Sequence, residues 1–114
     1  MITEKNKATR ILKELTGYFL GEHLYDLSIE FKLTQEHVEI RVSAPCDQLP
    51  RSFEQFLKDL NVPREIEADE YYNALLGSHT SHADYSFLGK AIDVATGTYH
   101  DQVLSLYILR SFVR

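Results

Sequence analysis

The stretch from Tyr25 to Val42 constrains this chain more than any other. Tyr25, Leu27, Ile29, Phe31 and Leu33 alternate with Asp26, Ser28, Glu30 and Lys32, the period of two that puts every second side chain of a strand on one face. Thr34-Gln35-Glu36-His37 interrupts, and Val38, Ile40 and Val42 then alternate with Glu39 and Arg41. Two amphipathic strands joined by a short polar link predict a hairpin. Its apolar face has to be covered, and helices elsewhere in the chain are what can cover it.

The flanking segments supply them. Ahead of the hairpin, Lys5 to Glu22 predicts a helix with Ile11, Leu12, Leu15, Tyr18 and Phe19 along one face and Thr3 as its N-cap. Gly21 marks its end, and Gly17 inside it implies either close packing or a short break. Pro45 ends the second strand, because it cannot donate to a ladder. Asp47 then caps a second helix that takes in Pro50 and buries Phe53, Phe56, Leu57 and Leu60. A third helix runs from about Arg64 to Leu76, with Ala68, Tyr71, Tyr72, Leu75 and Leu76 as its stripe and Gly77 after it. Ser81 or Asp84 caps a fourth that buries Phe87, Leu88, Ala91, Ile92 and Ala95 and stops at Gly97.

Gln102 to Val113 alternates again, with Leu104, Leu106 and Ile108 on one side and Val103, Ser105, Tyr107 and Leu109 on the other. Both sides are rather apolar, which places this strand inside a sheet. The order α-β-β-α-α-α-β over residues 1–114 predicts one α+β domain, a two-layer sandwich of a small, mainly antiparallel sheet with helices on one face. The other face, bearing Glu30, Lys32, Glu39 and Arg41, meets solvent or another subunit.

Composition removes several classes of function. A formal charge of -5 with dispersed basic residues argues against nucleic-acid binding, leaving only a small basic patch around Arg110 and Arg114. No run approaches the roughly 18 apolar residues of a membrane span, and no apolar core follows the N-terminus, so a soluble cytoplasmic protein is expected. The single Cys46 cannot form an intrachain disulfide.

The first helix, the hairpin ending at Val42-Ser43-Ala44-Pro45-Cys46, and the segment Phe87-Leu88-Gly89-Lys90-Ala91-Ile92-Asp93-Val94 followed by a strand together resemble the ATP-binding domain of sensor histidine kinases and anti-sigma-factor kinases. The likeness spans about three quarters of the chain and lies in the pattern of elements and apolar positions. It implies that fold, but the nucleotide-binding residues do not carry over. Tyr18 stands near the family's magnesium-binding Asn, Ala44 replaces its adenine-reading Asp, and Cys46 replaces the Gly after it. Ser86-Phe87-Leu88-Gly89 has one glycine where that family uses several to bring backbone amides to phosphate. The resemblance therefore implies a degenerate copy, not competent for ATP hydrolysis.

Other constellations are equally spare. His79, His82 and Asp84 place two imidazoles and a carboxylate close together in a small polar loop, types that zinc prefers, although a closed site needs a further ligand such as His100, Asp101 or Cys46. With Tyr71 and Tyr72 they form the candidate ligand-binding set. Cys46 reads as a small buried hydrophobe, since Asp47 beside it disfavours a thiolate. Glu65, Glu67, Asp69 and Glu70 read as a solvated helix face, and Tyr71, Tyr72, Tyr85, Tyr99 and Tyr107 as an aromatic supply for core edges or interfaces. No residue set carries a reaction, and no cofactor is expected. The expectation is a non-enzymatic interaction or regulatory module, a homodimer or bound to a protein partner, with a small ligand- or metal-binding domain at the His79 to Asp84 loop as the alternative.

Overall fold

The hairpin forms, its first strand starting at Ser28 rather than Tyr25 and its second taking in His37, and a second hairpin completes the sheet. The computed structural model describes residues 4–65 and 85–112. In chain order the elements are α1 (Glu4–Gly21), β1 (Ser28–Leu33), β2 (His37–Pro45), α2 (Phe53–Leu60), α3 (Ser86–Gly89), β3 (Val94–His100) and β4 (Val103–Ser111). The four strands lie in the order β1-β2-β4-β3, every neighbouring pair antiparallel. The architecture is the α+β two-layer sandwich that the element pattern predicts.

Register decides which residues form the core. Val38, Ile40, Val42 and Ala44 of β2 stand opposite Arg110, Ile108, Leu106 and Leu104 of β4, and all of them are buried. Above them pack Ile11, Leu15 and Phe19 of α1, Phe53, Phe56 and Leu60 of α2, and Leu88 of α3. Each such large side chain contributes about 1.5–3 kcal/mol relative to exposure. As the two-sided apolar pattern implies, β4 is an interior strand, flanked by β2 and β3.

Helix α1 ends in a left-handed cap that glycine does not supply. His23 has φ 63°, the Leu24 N–H donates to the Phe19 carbonyl, and the His23 N–H donates to that of Leu20. This is the paired bonding that closes a helix through a left-handed residue just past its end. Gly17 neither packs closely nor breaks the helix, because a Cβ there would meet nothing within 4 Å. Helix α2 starts later than Asp47 predicts. Ser52 is its N-cap residue, with helical backbone angles and no side-chain cap bond, so Pro50 lies before the helix.

The main correction concerns residues 86–100. Only Ser86–Gly89 is helical, and Val94–His100 is a strand rather than the second half of a helix. Ala91, Ile92 and Ala95 are buried as predicted, but through a turn and a strand. Gly97 lies inside β3 facing Phe53 instead of ending a helix. The physical reason is β4, whose second edge needs a partner, and Val94, Thr96, Thr98 and Tyr99 are residues that favour a pleated surface. Asp101 and Gln102, at φ 51° and 59°, make the tight two-residue link between these strands.

The basic patch is corrected as well. Arg110 is fully buried. Its Nε and Nη2 donate to the two carboxylate oxygens of Glu4 at 3.0 and 3.2 Å, and its Nη1 donates to the Ala91 carbonyl at 2.8 Å. The predicted Thr3 cap, the helix stripe from Ala68 to Leu76 with Gly77, the Ser81 and Asp84 caps, Val113 and Arg114 lie outside the described residues.

Candidate functional site

Two surfaces combine unusual geometry with exposed chemistry. The first is the open edge of the sheet. Among the described residues β1 has one neighbour, β2. Antiparallel pairing alternates hydrogen-bonded with non-bonded residue pairs, and the phase is fixed at the hairpin turn, where the Thr34 N–H donates to the His37 carbonyl. Counting back through the register, Lys32 with Glu39 and Glu30 with Arg41 are the bonded pairs. The main-chain N–H and C=O groups of Ile29, Phe31 and Leu33 therefore point away from β2, along the free edge.

The same residues carry the apolar face. Ile29, Phe31 and Leu33 stand opposite Val42, Ile40 and Val38 and so lie on the helix-covered side, yet they remain 44, 39 and 38% exposed. Among the described residues the helix layer stops short of this edge. On the opposite face the residues are charged. Arg41 lies 3.8 Å from Glu30, both largely exposed, and sits over the Tyr107 ring at 5.2 Å. The Tyr107 hydroxyl donates to Glu39 at 3.2 Å.

The second surface is an open cleft of about 360 Å³ between α1 and α2. Tyr18 and Phe56 stack at 3.8 Å between ring centroids, and Tyr85 meets Phe56 edge-on. The Tyr18 hydroxyl lies 2.8 Å from Ser52 Oγ, which itself donates to Glu22 at 3.0 Å. Tyr18 is consequently the donor to Ser52, and the protons run from Tyr18 to Ser52 to the Glu22 carboxylate. Burial pushes the Tyr18 phenol up to about 12, with the Ser52 hydrogen bond opposing the rise and the Glu22 charge adding to it. Asp59 closes the far side, accepting from Gln55 Nε2 at 2.8 Å and from the Tyr85 N–H at 3.0 Å.

Nucleophilic catalysis would need Ser52 to pass its proton to a base near neutrality. No histidine or cysteine is among the described residues that line the cleft, and a phenol held at about 12 stays protonated near pH 7. The hydrogen bonds here hold Tyr18, Ser52 and Glu22 in one chain.

The candidate residues His79, His82, Asp84, Tyr71 and Tyr72, like Glu67, Asp69 and Glu70, lie outside the described residues. Among the described residues no group of three or more His, Cys, Asp or Glu could hold a metal ion. His100 and Asp101 sit 3.3 Å apart on the surface. Cys46 is buried, as read, and its thiol donates to the Gln48 carbonyl at 2.8 Å. Tyr99 donates to the Cys46 carbonyl at 2.6 Å. The cleft residues Glu22, Ser52, Gln55 and Asp59 escaped the sequence reading, since polar residues near helix ends look alike until two helices face each other. Gly17 and Gly21, one helical turn apart, were the available signal that this side of α1 stays open.

Comparison with protein-family models, with curated proteins and with solved structures finds no match to this chain. No described helix is long and apolar enough to cross a membrane.

Proposed function

We propose that this chain is a non-enzymatic interaction module that takes up an extended segment of a protein partner as an added strand along β1. The observation that carries the reading is the coincidence on one edge of main-chain donors and acceptors that bond no described strand with the exposed side chains of Ile29, Phe31 and Leu33. In strand addition the main chain supplies affinity and alternate side chains supply specificity. An unpaired edge with an exposed apolar face is a pairing template, and a partner strand would cover it.

The resemblance to kinase-type ATP-binding domains enters the same proposal as a scaffold without nucleotide chemistry. Ala44 and Cys46, at the positions of that family's Asp and Gly, are buried at 2 and 6% exposure, and they offer no carboxylate to an adenine amino group. The module is accordingly expected to show no thermal stabilisation by Mg-ATP, and a clear shift would overturn this half of the proposal.

The interaction half is tested by a photocrosslinking amino acid placed at Phe31, with a control at Lys58, an exposed position on α2. In cells producing the full chain, a polypeptide adduct formed from position 31 and not from position 58 is expected. Equal labelling at both, or none at 31, would overturn the reading.

A further inference from the structure

We infer that the partner strand at β1 is β1 of a second copy of this chain, an inference that rests on the interaction reading above and names its partner. The segment Ser28-Ile29-Glu30-Phe31-Lys32-Leu33 is self-complementary when run antiparallel to itself about Phe31. In that register Phe31 faces its own counterpart, Ile29 faces the second copy's Leu33, and Glu30 faces the second copy's Lys32. Each opposed pair shares a face, as antiparallel neighbours must. The charges thus meet opposite charges on the outer face, and the exposed apolar side chains meet each other on the helix side.

The hydrogen-bond phase agrees with this register, and the charges separate it from a shift of two residues, which would set Glu30 or Lys32 against its own copy. The open main-chain groups belong to Ile29, Phe31 and Leu33, as the hairpin turn establishes. Pairing about Phe31 sets these residues opposite one another, so the free N–H and C=O groups of both copies bond across the dyad. A shift by one residue would set open groups against residues whose groups already bond β2, and would turn apolar side chains toward the charged face. The two-fold axis stands perpendicular to the sheet, an isologous arrangement. It continues the four-stranded sheet into its copy with both helix layers on one side.

A single strand buries less than the roughly 1,600 Å² of a standard stable interface, which points to a weak, concentration-dependent dimer. Glu30 and Lys32 are exposed and within their own chain stand opposite Arg41 and Glu39, so reversing either charge leaves the core untouched.

Sedimentation of the full chain up to about 0.5 mM, the range in which so small an interface is populated, reads the association directly. The wild type is expected to pass from monomer to dimer. Glu30→Lys alone and Lys32→Glu alone each set like charges across the dyad and are expected to weaken the dimer about tenfold, with circular dichroism confirming that both fold. Mixing these two variants restores opposite charges at every pair and is expected to restore the dimer. A wild type that stays monomeric overturns self-pairing. So does a dimer that the charge reversals leave intact, or variants that stay apart when mixed. The interaction reading fails separately, in the crosslinking experiment: an adduct from position 31 to a different polypeptide, with a monomeric purified chain, sinks the second copy and keeps the module.

Discussion

Arg110 occupies a position that the alternation of β4 assigns to the core, in phase with Leu104, Leu106 and Ile108. The fold accommodates the charge with both carboxylate oxygens of Glu4, a residue 106 positions away in the chain. Removing one partner of a buried pair costs more than replacing the ion with apolar volume. Glu4→Gln, which removes the carboxylate charge from beside the buried guanidinium, is therefore expected to lower stability by about 3 kcal/mol. Arg110→Met fills most of the space and leaves chiefly the Ala91 carbonyl unpaired, so it should cost only about 1–2 kcal/mol. Urea titrations of both variants decide the matter, and the reverse order would show that burial of the charge is not what the pair compensates. The phase was visible in the sequence, but the partner was not, because nothing local connects the first turn of α1 with the last strand.

Tyr18 gives a second residue-level expectation. An unfolded tyrosine ionises near 10 and the folded Tyr18 near 12, so the native state holds its proton longer. Below pH 10 both states are protonated and this residue adds no slope. Between pH 10 and 12 the unfolded chain loses the proton first, and stability falls as pH rises. Tyr85, Tyr99 and Tyr107 shift in the same direction. Denaturation midpoints measured from pH 9 upward should therefore decline more gently in Tyr18→Phe than in the wild type. Identical slopes would mean that the phenol is not held neutral by burial.

At the scale of elements, the contact between β3 and α2 explains both what the sequence hid and what a substitution should do. A Cβ on Gly97 would come within 2.5 and 2.7 Å of the Phe53 ring, and that ring is itself buried at 5% exposure beside Tyr18 and Phe56. Gly97→Ala is expected to cost about 1–3 kcal/mol through overpacking. In the Phe53→Leu background the same change should cost distinctly less, since the clashing ring atoms are gone. Additive effects in a double-mutant cycle would show that the two residues do not press on each other. The sequence displayed this glycine as a helix terminator, because Phe87, Leu88, Ala91, Ile92 and Ala95 fit a helical stripe as well as they fit a turn and a strand. Short apolar runs carry that ambiguity, and only the need of β4 for a second neighbour resolves it. The first hairpin had no such competitor, which is why its pairing and its end at Pro45 are legible, although its first strand begins at Ser28 and not at Tyr25.

For the molecule as a whole, the sheet is two hairpins, one from each half of the chain, joined by the long β2 and β4 seam from His37 opposite Ser111 to Pro45 opposite Val103. This central pairing is buried on its helix side and protected at both edges, whereas among the described residues β1 has no second neighbouring strand and its apolar face stays partly exposed. Local opening should follow that gradient. In native-state hydrogen exchange on a dilute sample, amides of Val38, Ile40 and Val42, which bond β4, are expected to exchange slowest. Within β1 the pattern should alternate: Glu30 and Lys32, bonded to β2, protected, and Ile29, Phe31 and Leu33, facing the open edge, exchanging fast. Raising the protein concentration should slow the fast set selectively if the copies pair along β1. Uniform protection throughout β1 in the dilute sample would mean that the edge is closed by the chain itself, and the surface on which the interaction reading stands would be lost.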